Sequence, residues 1–418
     1  MALLGPMVVV AEASAADVVD VLGKAGAFPI VEARWADAPA AIAEIQPTVL
    51  AIADPAGEPP PRQLKALIQC IEARGGPVMP VIALAEKNGR PALPGALAVS
   101  LDDSTDRLVA RLRSALRIRT LHATVLRRSR TTGIKKGIPT ALPPDLLDHA
   151  TVLCVGRGSS YPALSVAVGE RVGVIGALSV ETAARYLNAR DVDGLIIGEG
   201  LGLRVVEALL TVLAEDARFR DLPVGVLNNT VADDERLPNL VRGDDPVALV
   251  ERVLPFVRLQ AFEGQLKRVL KSLETEGIID PDTGLLGATA FWRDLDRAVR
   301  EAEEAGSALS VARFTFEGVG DRRVHLDAAR LFSRLVRNID FACRERDGSI
   351  LAAFTETDLR SAHVVARRIA SVLRQTMLSP DRDRRTIKPT VTLATLKTTD
   401  NLSTLVARVG AYPKVAAD

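Results

Sequence analysis

The sequence predicts an α/β protein with two parallel sheets followed by a third, differently built α/β module. Three observations carry that prediction. Short apolar runs alternate with helical-period stretches from Met7 to Ile118, the same alternation recurs from Thr151 to Val257, and a different pattern begins at Ile278. Strict strand–helix alternation implies parallel strands joined by crossover helices that cover both faces of the sheet. A repeat of more than one hundred residues has the size of a domain, so the two copies read as a tandem pair.

In the first copy MVVVAEA and FPIVEA bracket a helical run from Ala15 to Ala25, and a second helical run leads to TVLAIAD. A helix around Gln63 to Glu72, the strands PVIALA and ALAVSL, and a closing helix from Thr105 to Ile118 follow. In the second copy the strands are TVLCVGRG, VGVIGA, DGLIIGEG and LPVGVLNN, with helices at Val180 to Ala189 and Arg204 to Glu215 and a last amphipathic run from Pro246 to Val257. Between the copies, TTGIKKGIPTALPPD is rich in Gly, Pro and Thr, the composition of a linker. The expected domains are therefore 1–130, a linker at 131–146, and 147–258, followed by a helical stalk at 259–277 and a last module at 278–418.

Composition bounds what the chain does. Its 418 residues carry 53 Lys plus Arg against 52 Asp plus Glu, a formal charge of +1, which gives no global field for nucleic acid or an anionic membrane. The opening MALLGPMVVV lacks a basic segment and reads as a first strand. No stretch approaches the roughly 20 apolar residues of a membrane span, so a cytoplasmic protein is expected. Cys70, Cys154 and Cys343 and the four histidines are scattered without ligand spacing, so neither a metal site nor a required cofactor is expected.

The order and lengths of the elements in both copies resemble the receiver domains of two-component response regulators, which implies flavodoxin-like (CheY-like) folds. The family gathers acidic residues after its first strand, a phosphoacceptor Asp at the end of its third, Thr or Ser after its fourth and Lys after its fifth. Mg²⁺ and cationic groups are needed to neutralise the crowded phosphoryl oxygens. In the second copy the first strand ends in Gly156, Arg157 and Gly158, the acceptor position falls on Gly198, and the Thr position falls on Asn228. In the first copy the acidic cluster is reduced to Glu12 and the acceptor position falls on Ala53, with Asp54 one residue later, Ala85 at the Thr position and no Lys near Ser100. Both copies are expected to be pseudo-receivers that serve as interaction modules for protein partners, the alternative being that they are spacers. Arg157, in a Gly-Arg-Gly turn, is an anion-binding candidate or a solvated loop arginine.

From Pro255 to Thr275 one helical face carries Phe256, Leu259, Phe262, Leu266, Val269, Leu270 and Leu273. It suits either pairing with a second copy, giving a homodimer, or packing on its own chain. Then IIDPDTGLLGATAFWRDLDRAV resembles the opening DxLTGLxNRxxF of GGDEF domains, the diguanylate cyclase family. SALSVARFTFEG, IDFACRERDGSILAAF, AHVVARRIASVL, KPTVTLATL and LSTLVARVGAYPK follow in the family's order. The resemblance implies a nucleotidyl-cyclase-like α/β fold, and the whole arrangement is similar to response regulators of the PleD and PopA type.

A cyclase of this family needs two divalent-metal ligands on adjacent strands to bring the attacking 3′-oxygen to the α-phosphate. In register, the first metal-binding Asp becomes Thr315, and the GGDEF pentapeptide becomes Arg346, Asp347, Gly348, Ser349 and Ile350. Shifted alignments offer Glu317 and Asp347, but the glycines that let phosphates approach are then replaced by Arg346 and Asp347. The segment from Thr315 to Arg337 is also shorter than in the family, where it carries the guanine-binding residues. The chain is accordingly expected to be no enzyme, with residual or heterodimeric diguanylate cyclase activity as the alternative.

The family's product-inhibition site is an Arg-x-x-Asp motif ending five residues before the pentapeptide, and Arg337 to Asp340 stand in that register. Composition alone means little, since Arg34 to Asp37, Arg190 to Asp193, Arg218 to Asp221, Arg242 to Asp245 and Arg293 to Asp296 share the spacing. An arginine fork suits guanine O6 and N7, and an aspartate accepts from N1 and N2. Arg368, beside Arg367, stands where the family places a second arginine. The resemblance thus implies an effector that binds cyclic di-GMP at Arg337, Asp340 and Arg368. A nucleotide-independent scaffold, with Arg337 and Asp340 as an exposed ion pair, is the other reading.

Overall fold

The structure is a computed structural model that describes residues 4–53, 59–85, 91, 93, 95–100, 105–132, 137–228, 230–231, 234–275, 277–305, 307–316, 322–337, 339–376 and 388–411. Asp54 and Glu317, singled out above, and Asn338, within the Arg337 to Asp340 motif, lie outside the described residues. The chain divides into two compact units, Met1–Ala184 with Val192–Lys267, and Arg185–Asp191 with Arg268–Asp418.

The first unit holds two parallel sheets. In the first sheet the elements run β1 (Leu4–Val10), α1 (Ala16–Lys24), β2 (Phe28–Ala33), α2 (Ala38–Ile45), β3 (Val49–Ile52), α3 (Pro61–Ala73), β4 (Val81–Ala85), β5 (Leu97–Ser100) and α4 (Thr105–Thr132). The strand order is β2-β1-β3-β4-β5, all parallel. Val8, Val10, Leu50 and Ile52 pack on Trp35, Ala38, Ile42 and Leu67, which closes one face of the sheet.

After a 3-10 turn at Pro144–His149 come β6 (Thr151–Val155), α5 (Tyr161–Gly169), β7 (Gly173–Ala177), α6 (Val180–Ala189), β8 (Gly194–Ile197), α7 (Leu203–Glu215), β9 (Val224–Val226), β10 (Leu240–Arg242) and α8 (Pro246–Glu274). Their order, β10-β9-β8-β6-β7, repeats that of the first sheet. Both sheets are thus doubly wound, with a crevice at the carboxyl ends of the strands.

Two details differ from the sequence reading. The strand β10 had not been anticipated, because three residues are too few to display a period. The helix α4 runs well past Ile118, because His122, Val125 and Ser129 form a buried stripe at helical spacing within a stretch whose Arg and Thr content obscures it. The last amphipathic run and the stalk are one helix, α8, which contains Pro255. Phe256, Leu259, Phe262, Leu266, Val269 and Leu273 are all buried within the single chain. His122 meets Phe262 edge-on at 5.0 Å between ring centroids.

Two buried arginines of α4 tie the sheets of this unit together. Arg111 donates to Ala98 O at 2.6 Å on its own sheet, and to Pro238 O and Leu240 O, both at 2.8 Å, beside β10. Arg107 also donates to Leu240 O and to Asp234 O.

The second unit is built on an antiparallel sheet with order β12-β13-β11-β14. Its elements are α9 (Ala288–Ala305), β11 (Leu309–Phe316), α10 (Arg322–Leu335), β12 (Phe341–Arg344), β13 (Ile350–Thr355), α11 (Leu359–Thr376), β14 (Pro389–Thr395) and α12 (Leu402–Ala407). Strand alternation divides the core in two. Ala312, Phe314, Phe316, Ile350, Ala352 and Phe354 face α10 and α11. Leu309, Val311, Leu351 and Ala353 face α9 and α12.

Candidate functional site

The hairpin between β12 and β13 is where the sequence placed the altered pentapeptide. Glu345 N donates to Ser349 O at 2.8 Å and Gly348 N to Glu345 O at 3.1 Å, which closes a tight turn. Gly348 sits at φ +85°, and a Cβ there would lie 1.7 Å from His325 Nδ1, so glycine is required both by conformation and by space. The buried Ser349 hydroxyl has one proton to donate and lies within reach of two acceptors, Asp347 Oδ1 at 2.7 Å and Glu345 Oε2 at 2.9 Å. Arg346 is exposed.

The residue of β11 that meets this turn is Arg313, which the sequence reading had not singled out. By alternation it lies on the α9 and α12 face, and its strand partner is Leu351, one residue into β13 from Ile350. Arg313 Nε lies 3.0 Å from Glu345 Oε2 and Nη2 lies 2.6 Å from Asp347 Oδ2, while Nη1 donates to Gly410 O at 2.6 Å. One guanidinium therefore neutralises both carboxylates of the turn and ties it to the chain after α12. Partial burial works to raise the Asp347 carboxyl, but the Ser349 hydrogen bonds and the Arg313 charge outweigh it and hold it below the usual range. Thr315, two residues along β11, donates instead to Thr390 O at 3.4 Å across the β14 edge. A divalent cation at this turn would have to displace Arg313. Among the described residues no three His, Cys, Asp or Glu side chains gather in a metal-binding group.

Arg337 and Asp340 are joined by a turn between α10 and β12, Asp340 N donating to Arg337 O at 3.0 Å. The carboxylate is buried, and its Oδ1 accepts from Thr355 N at 3.0 Å, bracing the end of β13. Burial raises the Asp340 carboxyl above its ordinary range, against the opposing pull of the Thr355 bond and the Arg337 charge. Arg337 is exposed, as are Arg367 and Arg368 on α11. Val364, one turn before Arg368 on the same outer face, is 65% exposed, and Ile339, within the Arg337 turn, is 59% exposed. Arg337 and Asp340 thus stand on the turn between α10 and β12, and Arg368 stands on α11.

At the carboxyl ends of the parallel strands, Ala53 follows β3 and donates its N–H to Val10 O at 2.8 Å. Gly198 follows β8, and a Cβ there would meet Leu164 Cδ2 at 3.2 Å. The neighbouring loops are laced together. Arg157 N and Gly158 N donate to Glu199 O, Arg157 Nε donates to Gly200 O at 3.2 Å, and Glu199 Oε2 accepts from Ser160 N at 3.3 Å. Those Ser160 bonds hold the Glu199 carboxyl below its usual range. An acceptor side chain is thus missing at Ala53 and Gly198, and the crevice of the second sheet is bridged by Arg157 and Glu199.

No family model matches the chain, and no curated protein matches it. Among solved structures, the chain is similar to the GGDEF domain of DgcB from Caulobacter crescentus, solved with c-di-GMP, at 21% identity over 32% of this chain and 83% of that one, with a TM-score of 0.29. It is similar to the FimX GGDEF domain from Pseudomonas aeruginosa at 19% identity over 32% and 89%, with a TM-score of 0.29. A third similarity is to the active GGEEF domain of a diguanylate cyclase from Vibrio cholerae, at 16% identity over 28% and 82%, with a TM-score of 0.26. No helix among the described residues is long and apolar enough to cross a membrane.

Proposed function

We propose that the second unit is a degenerate GGDEF module that binds cyclic di-GMP without making it, and that the two doubly wound sheets are pseudo-receivers that pass its occupancy to protein partners. The observation that carries this reading is Arg313. A guanidinium paired with Glu345 and Asp347 already neutralises both carboxylates at the hairpin in the register of the altered pentapeptide, where a catalytic member of the family would need acids free to hold divalent cations. The guanidinium is carried by β11 and occupies both carboxylates of the turn.

Binding, by contrast, keeps its chemical means. Arg337 presents an exposed fork suited to guanine O6 and N7, Arg368 supplies a second, and Ile339 and Val364 offer apolar surface on which a base stacks. Asp340 offers its remaining carboxylate oxygen to the N1 and N2 donors. The shared strand order, β2-β1-β3-β4-β5 in the first sheet and β7-β6-β8-β9-β10 in the second, with Ala53 after β3 and Gly198 after β8, supports receiver-like modules that accept no phosphoryl group.

Calorimetry on the full chain tests the proposal. Cyclic di-GMP is expected to bind, with at least a tenfold loss in Arg337→Ala, and incubation with GTP and Mg²⁺ or Mn²⁺ is expected to yield no dinucleotide. Absence of heat, or unchanged affinity in Arg337→Ala, rejects the reading. The Thr355 bond to Asp340 favours a second reading, a nucleotide-independent scaffold in which that aspartate is structural.

A further inference from the structure

The first sheet ends at β2, whose one neighbour among the described strands is β1. Ala33 O accepts from Ala11 N at 3.1 Å, so the backbone of Ala33 faces β1. By strand alternation Val31 shares that side, and Ile30 and Glu32 turn their N–H and C=O groups away from the sheet. Such an edge is a template for one more strand. Phe28, at the start of β2, is 82% exposed, the most of any large apolar side chain among the described residues. Beside the strand, a groove of about 440 Å³ runs between β2 and α2, with Ala33, Ala41 and Ile45 packed on the core beneath it. Its rim carries three acids, Glu32, Asp37 and Glu44, against one base, Arg34. All four are exposed. Glu32 Oε2 lies 3.4 Å from Ala15 N, and Asp37 gives α2 no side-chain cap.

The rim charges select the occupant. A second copy of the chain pairing edge to edge would bring Glu32 toward Glu32, and a nucleic acid or an anionic membrane would meet the same repulsion. An extended segment carrying Lys or Arg relieves it. Backbone groups of that segment pair with Ile30 and Glu32, its basic side chains reach the acids over the groove, and an apolar residue covers Phe28. Because β2 is only six residues long, the segment is short, and charge supplies much of its selectivity. We infer that the open edge of β2 and the acidic groove beside it form a docking site for a short, basic, extended segment of a protein partner. The inference rests on the partner role proposed above for the first sheet and gives that role a surface and a partner chemistry.

The test uses the full chain without dinucleotide, so its outcome is separate from that of the calorimetry with cyclic di-GMP. The probe is a fluorescein-labelled peptide of alternating Lys and Val, and a peptide of alternating Glu and Val is the control. Fluorescence anisotropy is expected to show binding of the Lys peptide and none of the Glu peptide. Asp37→Lys/Glu44→Lys is expected to bind at least tenfold more weakly, and Phe28→Ala several-fold more weakly. These side chains are exposed, so thermal unfolding by circular dichroism should be unchanged in both variants. Hydrogen exchange at the Ile30 and Glu32 amides should slow when the Lys peptide is added. No binding, equal binding of the two peptides, undiminished affinity in either variant, or unchanged exchange along β2 would overturn the inference. Slowing of those amides with rising protein concentration alone would make a second copy the occupant and overturn it equally.

Discussion

Arg313 Nη2 lies 2.6 Å from Asp347 Oδ2, so a cation carried by one strand closes on the carboxylate of the adjacent hairpin turn. With Glu345 as the second acid and Gly410 O as a fixed acceptor, the arginine joins three parts of the second unit. Arg313→Ala is expected to lower stability by about 1–2 kcal/mol, the range for a partly exposed, charge-assisted pair. The pH dependence follows in sign. Asp347 is depressed in the folded state, so its stabilising share is present above the ordinary carboxylate range and is lost as pH falls through the folded value. Chemical denaturation at stepped pH should show a shallower acid limb in Arg313→Ala.

Gly348 is the residue on which the turn depends. Alanine there must adopt φ +85° and place its Cβ on the His325 ring. Gly348→Ala is expected to cost about 2 kcal/mol or more. The steric share is separable, because Gly348→Ala/His325→Ala should recover part of the loss while the conformational share stays. Purely additive losses in urea melts would contradict the close approach.

Asp340 has both a structural bond and a proposed ligand contact, and substitutions divide them. Asp340→Asn can still accept from Thr355 N, and it removes a charge that burial disfavours. A raised carboxyl makes the fold lose stability as pH rises from the ordinary carboxylate range through the folded value, and Asn abolishes that loss. Near neutrality Asp340→Asn should therefore be as stable as wild type or more so, while Asp340→Ala should lose about 1–3 kcal/mol through the orphaned Thr355 N–H. If Asp340 accepts from guanine, Asp340→Asn binds cyclic di-GMP at least tenfold more weakly despite its stability. Unchanged affinity would leave Asp340 with the structural role alone.

These residues also mark what the sequence makes legible. Alternation in SALSVARFTF places Ala312, Phe314 and Phe316 on one face and Arg313 on the other, and RDGS between strand runs reads as a turn with glycine at positive φ. Alternation says which face a side chain takes but not what it meets there. The Arg313 contacts depend on the order β12-β13-β11-β14 and on Gly410 arriving from the far end of the chain. Register by resemblance points at Thr315, two residues along the same strand from Arg313. Likewise Arg107 and Arg111 read as the polar face of a closing helix. Apart from Ala98 O, the acceptors they are shown to reach lie around β10, more than 120 residues later in the chain.

Arg111 is accordingly expected to matter to the first unit far more than an ordinary helix arginine. Its three carbonyl partners and the Phe256 ring, 5.1 Å from its guanidinium carbon, leave it 4% exposed. Arg111→Met should cost about 2–4 kcal/mol, because charge-assisted bonds are lost and carbonyls are left buried without donors. Arg111→Lys should not restore it, since one ammonium cannot reproduce the planar fork. Unfolding monitored by circular dichroism on both variants checks this.

Gly198→Asp probes whether a phosphoacceptor can be rebuilt after β8. The new Cβ meets Leu164 Cδ2 at 3.2 Å, so that side chain must give by a few tenths of an ångström. Phosphorylation also requires a divalent cation held by acids after the first strand. Gly156, Arg157 and Gly158 occupy that place, with Arg157 and Glu199 bridging the loops. Gly198→Asp is therefore expected to lower stability and, on incubation with acetyl phosphate and Mg²⁺, to show no phosphoryl mass increment by intact mass spectrometry. Stoichiometric phosphorylation of Asp at position 198 would mean that the crevice retains a metal-binding acid set and that one substitution is enough to complete it.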